Sequence, residues 1–179
     1  FNSNSFDFHE PQMPASFWRN KRVTDVHIAG ENDSGHVIYA SLSGISGTRV
    51  IKSEDEGETW IDITGDLGMG DIVNARCILP DPHHEEILYV GSDVGMFYSC
   101  NSGNNWNQYS DNLPGTPFIN DLEYDANQDK IVAATYGTGV YLGDLVEDPC
   151  ELSSSDNITS TSINLYPNPL QNVMNVELP

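Results

Sequence analysis

Basic residues are scarce in this sequence. Its 179 residues include seven lysines and arginines against 27 aspartates and glutamates, which gives a net charge of −20 spread along the chain. Nucleic acids and anionic membranes are bound through basic surfaces, because both are polyanions. The composition therefore argues against both as partners. It favours an acidic chain that is soluble outside the cell over one with an acidic recognition surface.

Cysteines are few, and long apolar runs are absent. Cys77, Cys100 and Cys150 have neither C-x-x-C nor metal-ligand spacing, so we expect no metal site and no cofactor. They permit one disulfide, but the sequence does not say which pair would form it. No run of about 18 apolar residues occurs, so we predict no membrane span.

Helical periodicity is absent as well, whereas turn formers are common. The chain contains 15 glycines and 10 prolines, and its apolar residues alternate in short runs between polar turns. This pattern predicts an all-β protein. The first residue is Phe1 and no signal peptide follows it, so we expect the chain to be a piece of a longer secreted protein.

The most informative stretch is the octet S-E-D-E-G-E-T-W at residues 53–60, which lies between two alternating apolar runs. Such a pattern predicts a β-hairpin. Asp55 can accept backbone N–H groups of the turn, and Gly57 can adopt the positive φ that a tight turn requires. The hydroxyls of Ser53 and Thr59 can satisfy further backbone groups, and Trp60 begins the next strand with a large apolar surface.

A second copy of the octet occupies residues 99–106. It keeps Ser99, Gly103 and Trp106, and it has Asn101 in place of the aspartate. Two apolar runs before each octet align as the first and second strands of a repeat, and a third pair of runs follows without an octet. The first strands are 23–28, 73–78 and 119–124, and the second strands are 37–40, 87–90 and 131–134. The sequence therefore predicts three repeats.

The octets resemble the Asp-box, the repeat signature of sialidases, xyloglucanase-type endoglucanases and sortilin-type propellers. The resemblance implies an all-β partial β-propeller of about three four-stranded antiparallel blades at residues 22–144, after a lead-in segment at 1–21. Gly143 stands where a third octet would have its serine, so we expect the last blade to lack its outer strand. We also expect Trp60 and Trp106 to be largely buried.

Polar residues on the predicted first strands are candidates for a binding face, because propellers gather these strands around a central channel. The six candidates are Asp25, His27, Asn74, Arg76, Asn120 and Asp121. In our alignment Arg76 takes an apolar position, and we expect it to pair with a neighbouring carboxylate rather than face a ligand. The segment 80–86, P-D-P-H-H-E-E, suggests metal ligands, but we favour a solvated turn because adjacent histidines point apart.

The composition of the sequence changes after Asp144. Residues 145–162 have the composition of a Ser-rich linker. The segment 163–179 then carries a Y-P-N-P turn between two alternating runs, formed by Tyr166, Pro167, Asn168 and Pro169. It resembles the opening of the C-terminal sorting domain of type IX secretion substrates. This implies the type IX machinery as a partner and an extracellular or cell-surface location in a Bacteroidetes-type bacterium; the alternative is an ordinary Pro-rich turn.

Two functions remain open. The first is a non-catalytic binding scaffold for a glycan or an extracellular protein, whose other partners are the remaining blades of the same protein. The alternative is part of a xyloglucanase- or sialidase-like glycoside hydrolase, which needs two carboxyl groups across the scissile bond and, in a sialidase, several converging arginines. The sequence has no motif that brings together such carboxyl groups or arginines, so we predict no catalytic residue and favour the scaffold.

Overall fold

The computed structural model describes residues 17, 20–32, 35–68, 73–109 and 113–146. The regular elements in these ranges are β-strands, which confirms the predicted all-β class. They are β1 (Val23–Asn32), β2 (Gly35–Leu42), β3 (Val50–Ser53), β4 (Ile61–Asp62), β5 (Ala75–Pro80), β6 (Leu88–Ser92), β7 (Gly95–Ser99), β8 (Asn107–Tyr109), β9 (Ile119–Asp125), β10 (Lys130–Thr135) and β11 (Gly139–Asp144).

The strands form three antiparallel sheets in chain order. The first sheet has the order β1-β2-β3-β4, the second β5-β6-β7-β8, and the third β9-β10-β11. Two four-stranded sheets and one three-stranded sheet were predicted, and this is confirmed. The first hairpin is longer than predicted, because a register shift at Gly30 lets pairing continue to the ends of β1 and β2. Glycine tolerates the local backbone distortion of such a bulge.

Each first strand contains a bulge near its beginning. One residue is left out of the pairing register at Thr24 in β1, at Arg76 in β5 and at Asn120 in β9. These three residues are therefore equivalent, and the sequence alignment of the second repeat was wrong by two positions. Arg76 does not replace an apolar residue, because all three sheets have a polar residue at the bulge.

The sheets pack face to face. One apolar core lies between the first and second sheets and includes Tyr39, Val50, Ile78 and Val90. A second core lies between the second and third sheets; it includes Tyr89, Met96, Leu122 and Ile131. The first strands β1, β5 and β9 contact one another in sequence. Burial of each large apolar side chain contributes about 1.5–3 kcal/mol, so these two cores hold the sheets together.

The 53–60 turn is held by hydrogen bonds to the carboxylate of Asp55. Its Oδ1 accepts hydrogen bonds from the Thr59 backbone N–H and the Ser53 hydroxyl, both at 2.8 Å, and its Oδ2 accepts the Thr59 hydroxyl. The Thr59 hydroxyl and N–H hold the pKa of Asp55 below its ordinary value. Gly57 has a φ of 92° and donates its N–H to the Ser53 hydroxyl oxygen at 2.8 Å. The Trp60 indole N–H donates to the Gly57 carbonyl at 2.9 Å.

The 99–106 turn has the same geometry with an amide in place of the carboxylate. The Asn101 side-chain oxygen accepts the Asn105 N–H at 2.8 Å, and the Trp106 indole donates to the Gly103 carbonyl at 3.1 Å. Asp66, in the connection from the first sheet, accepts the Trp106 N–H at 2.6 Å and the Asn105 amide at 3.0 Å. A side chain at Gly103 would collide with the Ile63 carbonyl, so this turn also joins two sheets.

The two tryptophans, both predicted to be largely buried, differ in how far they are buried. Trp106 is 8% exposed in the core between the first and second sheets. Trp60 is only partly buried, against Ala40, Leu42 and Ile51. The physical reason is its place on the face of the first sheet that no other described sheet covers.

This difference predicts unequal costs of truncation. Trp106→Ala should lower the free energy of unfolding by about 3–5 kcal/mol, the usual cost of removing a buried tryptophan. Trp60→Ala should cost less, because Trp60 is only partly buried and packs on a face that no second described sheet covers. Chemical denaturation of the two variants measures both values, and an equal or larger loss for Trp60→Ala would contradict this account.

Candidate functional site

A cavity of about 580 Å³ lies where the three sheets meet, at the end that carries the β1–β2 and β5–β6 hairpins. This volume falls within the range of small-ligand sites. The first sheet contributes His27, Ala29, Gly30, Val37, Tyr39, Lys52 and Glu54; the second contributes the segment from Leu79 to Glu85; the third contributes Glu123 and Tyr124. The wall thus combines aromatic rings, imidazoles and carboxylates on an apolar base.

The wall formed by the first sheet is centred on Tyr39 and Lys52, which are cross-strand partners. The Lys52 ammonium lies 5.7 Å from the centre of the Tyr39 ring and 2.6 Å from a Glu54 carboxylate oxygen. Burial raises the pKa of Tyr39. Burial lowers the pKa of Lys52, but the interactions with Glu54 and Tyr39 together outweigh it, so the pKa of Lys52 is raised. The positive charge of this wall is therefore already neutralised.

The wall formed by the β5–β6 hairpin is held by the buried side chain of Asp81. Its Oδ1 accepts the N–H groups of His83 and His84 at 2.8 and 3.0 Å, and its Oδ2 accepts the Tyr89 hydroxyl at 2.9 Å. A carboxylate with three donors fixes the backbone of the hairpin. This fixes how His83, His84 and Glu85 are presented to the cavity.

The rim of the cavity joins the second sheet to the third. His83 Nε2 lies 2.8 Å from Asp129 Oδ1, and the Tyr124 hydroxyl donates to the same oxygen at 2.7 Å. The His83 and Tyr124 rings meet edge to face. The Asp129 carboxylate raises the pKa of His83, while the hydrogen bonds from His83 and Tyr124 lower the pKa of Asp129. The segment 80–86 contains the exposed turn that was predicted, with Pro82, His83, Glu85 and Glu86 exposed. In addition, Asp81 ties it to the interior and His83 ties it to the third sheet.

Of the six residues predicted as a binding face, three bind backbone N–H groups of this chain. Asp25 and Asp121 each accept the backbone N–H of the following residue, at 2.8 and 3.1 Å, and Asp25 also accepts the Ile78 N–H of the second sheet at 3.1 Å. Asn74 accepts the Gly44 N–H at 2.7 Å. These three side chains are engaged in holding strands and loops.

The other three predicted residues have different surroundings. His27 lines the cavity, whereas Asn120 is exposed at its bulge. The Arg76 guanidinium stacks on the Phe118 ring at 4.2 Å. Among the described residues Arg76 forms no ion pair with a carboxylate, so the pairing expected from the sequence is wrong.

Sequence reasoning missed most of the cavity residues. Lys52 and Glu54 precede the 53–60 turn or lie within it, and Glu123 and Tyr124 end a first strand. Cross-strand alternation could have paired Lys52 with Tyr39. It could not have brought in Glu123 and Tyr124, since their approach depends on packing between sheets.

The described residues contain no group of three or more histidine, cysteine, aspartate or glutamate side chains placed to hold a metal ion. Burial raises the pKa of the Cys77 thiol, which makes it an unsuitable nucleophile. Cys150 and the Tyr166–Pro169 turn lie outside the described residues. No helix within the described part of the chain has the length and apolar character to cross a membrane.

No family model matches the sequence, and no curated protein matches it. Among solved structures, the GH74 xyloglucanase from Xanthomonas campestris is similar with a TM-score of 0.46 and 13% sequence identity, over 60% of this chain. The chain spans 18% of the length of that enzyme. A similarity this weak assigns neither a family nor an activity.

The rim contact predicts a pH dependence. Because the folded-state pKa of His83 is raised, its stabilising effect should be complete below the unfolded value of about 6.5 and should be lost as the pH rises through the folded value. Asp129→Asn should remove this dependence, and asparagine tolerates the positive φ of 54° at this position. Melting temperatures across this pH range, with His84→Gln as control, measure the effect. An unchanged profile in Asp129→Asn would rule out the contact as its source.

Proposed function

We propose that the chain contributes consecutive blades of an Asp-box β-propeller to a larger secreted protein and acts there as a binding scaffold. The repeated sheets support this, because each packs on the next through equivalent strands. The 53–60 and 99–106 turns serve as its Asp-boxes, with their side chains engaged in the turns. A ring needs more than three blades, so further blades of the same kind are the expected partners.

The observation that carries the binding role is the cavity between the three sheets. It offers hydrogen-bond donors and acceptors beside apolar surface, as ligand sites do. None of the described arginines lines it, and Lys52 is paired with Glu54. An anionic ligand would therefore meet uncompensated carboxylates. The ligand is a glycan or a protein segment without net negative charge.

A glycoside hydrolase remains the competing function. Hydrolysis requires two carboxyl groups placed across the scissile bond, one of them protonated. Asp81 is held by three donors, and Glu54 is paired with Lys52. Glu85 and Glu123 are the other carboxylates of the cavity. Two of these four groups are committed to structural partners, so a hydrolase would have to use Glu85 and Glu123.

A glycan array combined with a hydrolase panel tests this function. We expect the chain to bind without turnover, and Glu85→Gln with Glu123→Gln should weaken binding about tenfold or more through lost charge-assisted hydrogen bonds. Glu86→Gln is the matched control, because Glu86 is exposed beside the cavity without lining it. Turnover by the chain that is lost in the Glu85 and Glu123 variants would establish the hydrolase instead.

We further propose that the segment 163–179 is the beginning of a separate sorting module, tethered by the linker 145–162. The Tyr166–Pro169 turn after a Ser-rich stretch supports this. In this proposal the type IX machinery exports the protein to the cell surface or the medium.

Deletion of residues 163–179 in the native host tests the sorting role. The truncated protein should accumulate in the periplasm, because the export machinery would no longer recognise it. Deletion of residues 147–162 alone is the control and should leave export intact, because it keeps Leu145 and Val146, which pack against the core of the second and third sheets. Unchanged secretion of the truncated protein would refute the proposal.

A further inference from the structure

The Arg76 side chain lies between the second and third sheets, at the end of the sheets opposite to the β5–β6 hairpin. Its guanidinium stacks on the Phe118 ring, 4.2 Å from the ring centre. No described residue accepts a hydrogen bond from this side chain, and no described carboxylate forms an ion pair with it. Its Nε–H is buried without an acceptor, which is uncommon in folded proteins. Arg76 therefore carries a charge and hydrogen-bond donors that the described chain leaves available.

Two aromatic rings extend the surface beside Arg76. Phe118 directly precedes β9, Tyr136 directly follows β10, and the Tyr136 N–H donates to the Phe118 carbonyl at 2.8 Å. The centres of the two rings are 5.8 Å apart, and their planes are tilted by 58°. Tyr136 is 75% exposed. We call Arg76, Phe118 and Tyr136 the aromatic–arginine platform, because a guanidinium and an open aromatic ring lie side by side on it.

The turn that presents Tyr136 is held by hydrogen bonds of its own. The Thr135 hydroxyl donates to the Gly139 carbonyl at 2.6 Å and lies 2.7 Å from the Thr138 hydroxyl. The Tyr141 hydroxyl donates to the Thr138 carbonyl at 2.9 Å. Gly139 has a φ of 107°, which other residues rarely adopt. Tyr136 is thus fixed in place before a ligand arrives, and this reduces the entropy lost on binding.

The first strands on either side of Arg76 each carry a carboxylate, but both carboxylates are engaged elsewhere. Asp25 of β1 accepts two backbone N–H groups, at 2.8 and 3.1 Å, and Asp121 of β9 accepts one at 3.1 Å. A single carboxylate of a ligand therefore finds the Arg76 donors unoccupied. A polyanion would be repelled by both aspartates and by the net charge of −20.

We infer that the aromatic–arginine platform binds a segment of another protein in which a glutamate or aspartate lies beside an aromatic side chain. The carboxylate accepts hydrogen bonds from the Arg76 guanidinium, whose planar fork matches it, and the aromatic side chain packs on Tyr136. Arginine and tyrosine dominate the binding energy of many protein interfaces, which favours a protein over a glycan. The platform and the cavity lie at opposite ends of the sheets, so this inference does not depend on the role proposed for the cavity.

Short peptides test the inference by NMR titration of the full chain. The probe is acetyl-Glu-Phe-amide, the shortest segment that carries both features. It should bind saturably and shift the Arg76 Nε–H signal. Acetyl-Gln-Phe-amide should bind about tenfold more weakly, because it lacks a hydrogen bond to a charged group. Acetyl-Glu-Ala-amide should also bind more weakly, because it has no ring to pack on Tyr136. Raised salt should weaken binding of the probe, since salt screens the charge pair.

Three variants locate the contact. Arg76→Lys should weaken binding of the probe about tenfold, because an ammonium group keeps the charge but lacks the planar fork. Tyr136→Ala should weaken it about fivefold, the smallest effect expected of a residue that dominates an interface. Arg22→Gln is the matched control and should leave binding unchanged. It removes the same charge from an exposed position at the same end of the sheets, outside the platform.

The outcomes separate the alternatives. Absence of saturable binding of acetyl-Glu-Phe-amide to the folded wild-type chain would overturn the inference. Equal affinity for the Glu and Gln peptides, or an equal loss in Arg22→Gln, would show that Arg76 is not the contact and would also overturn it. Tighter binding of free glucuronic acid than of the probe would assign the platform to a glycan instead. Thermal unfolding checks the fold of each variant, and if Arg76→Lys unfolds, Tyr136→Ala and the wild-type Nε–H signal still decide.

Discussion

The packing of each sheet on the next is the interaction on which the rest of this structure depends. A sheet of three or four short strands has two faces, and the second sheet packs one of them on the first sheet and the other on the third. Ile78 and Val90 on one side and Tyr89 and Met96 on the other belong to different cores. An isolated sheet of this size is marginally stable, because its folding removes too little apolar surface from water.

The cavity is a consequence of that packing. The apolar cores end at the outer part of the long β1–β2 hairpin, where the sheets carry polar side chains. Asp81 fixes the neighbouring hairpin from inside, and His83 ties it to Asp129 of the third sheet. The site is thus built by contacts between sheets rather than by one local motif. Its carboxylates and imidazoles come from all three sheets.

The two octet turns illustrate how one local pattern serves different surroundings. Both use a serine, an aspartate or asparagine, a glycine and a tryptophan in the same hydrogen bonds. Only the second turn receives Asp66 from the preceding sheet. Trp106 is buried because it packs in the core between the first and second sheets, whereas no described sheet lies beside Trp60.

The sequence by itself determined the strand class, the repeat and the chemistry of the turns. Alternating apolar residues fix which side chains share a face, and Asp55 and Gly57 fix a turn through bonds within eight residues. Only the tertiary structure decided the register of β5, because the bulge at Arg76 shifts the apolar pattern without a local signal. It also decided the cavity, since Glu123 and Lys52 line it together only when the sheets pack. Local patterns encode hydrogen bonds between near neighbours, whereas contacts between sheets depend on surfaces assembled from distant segments.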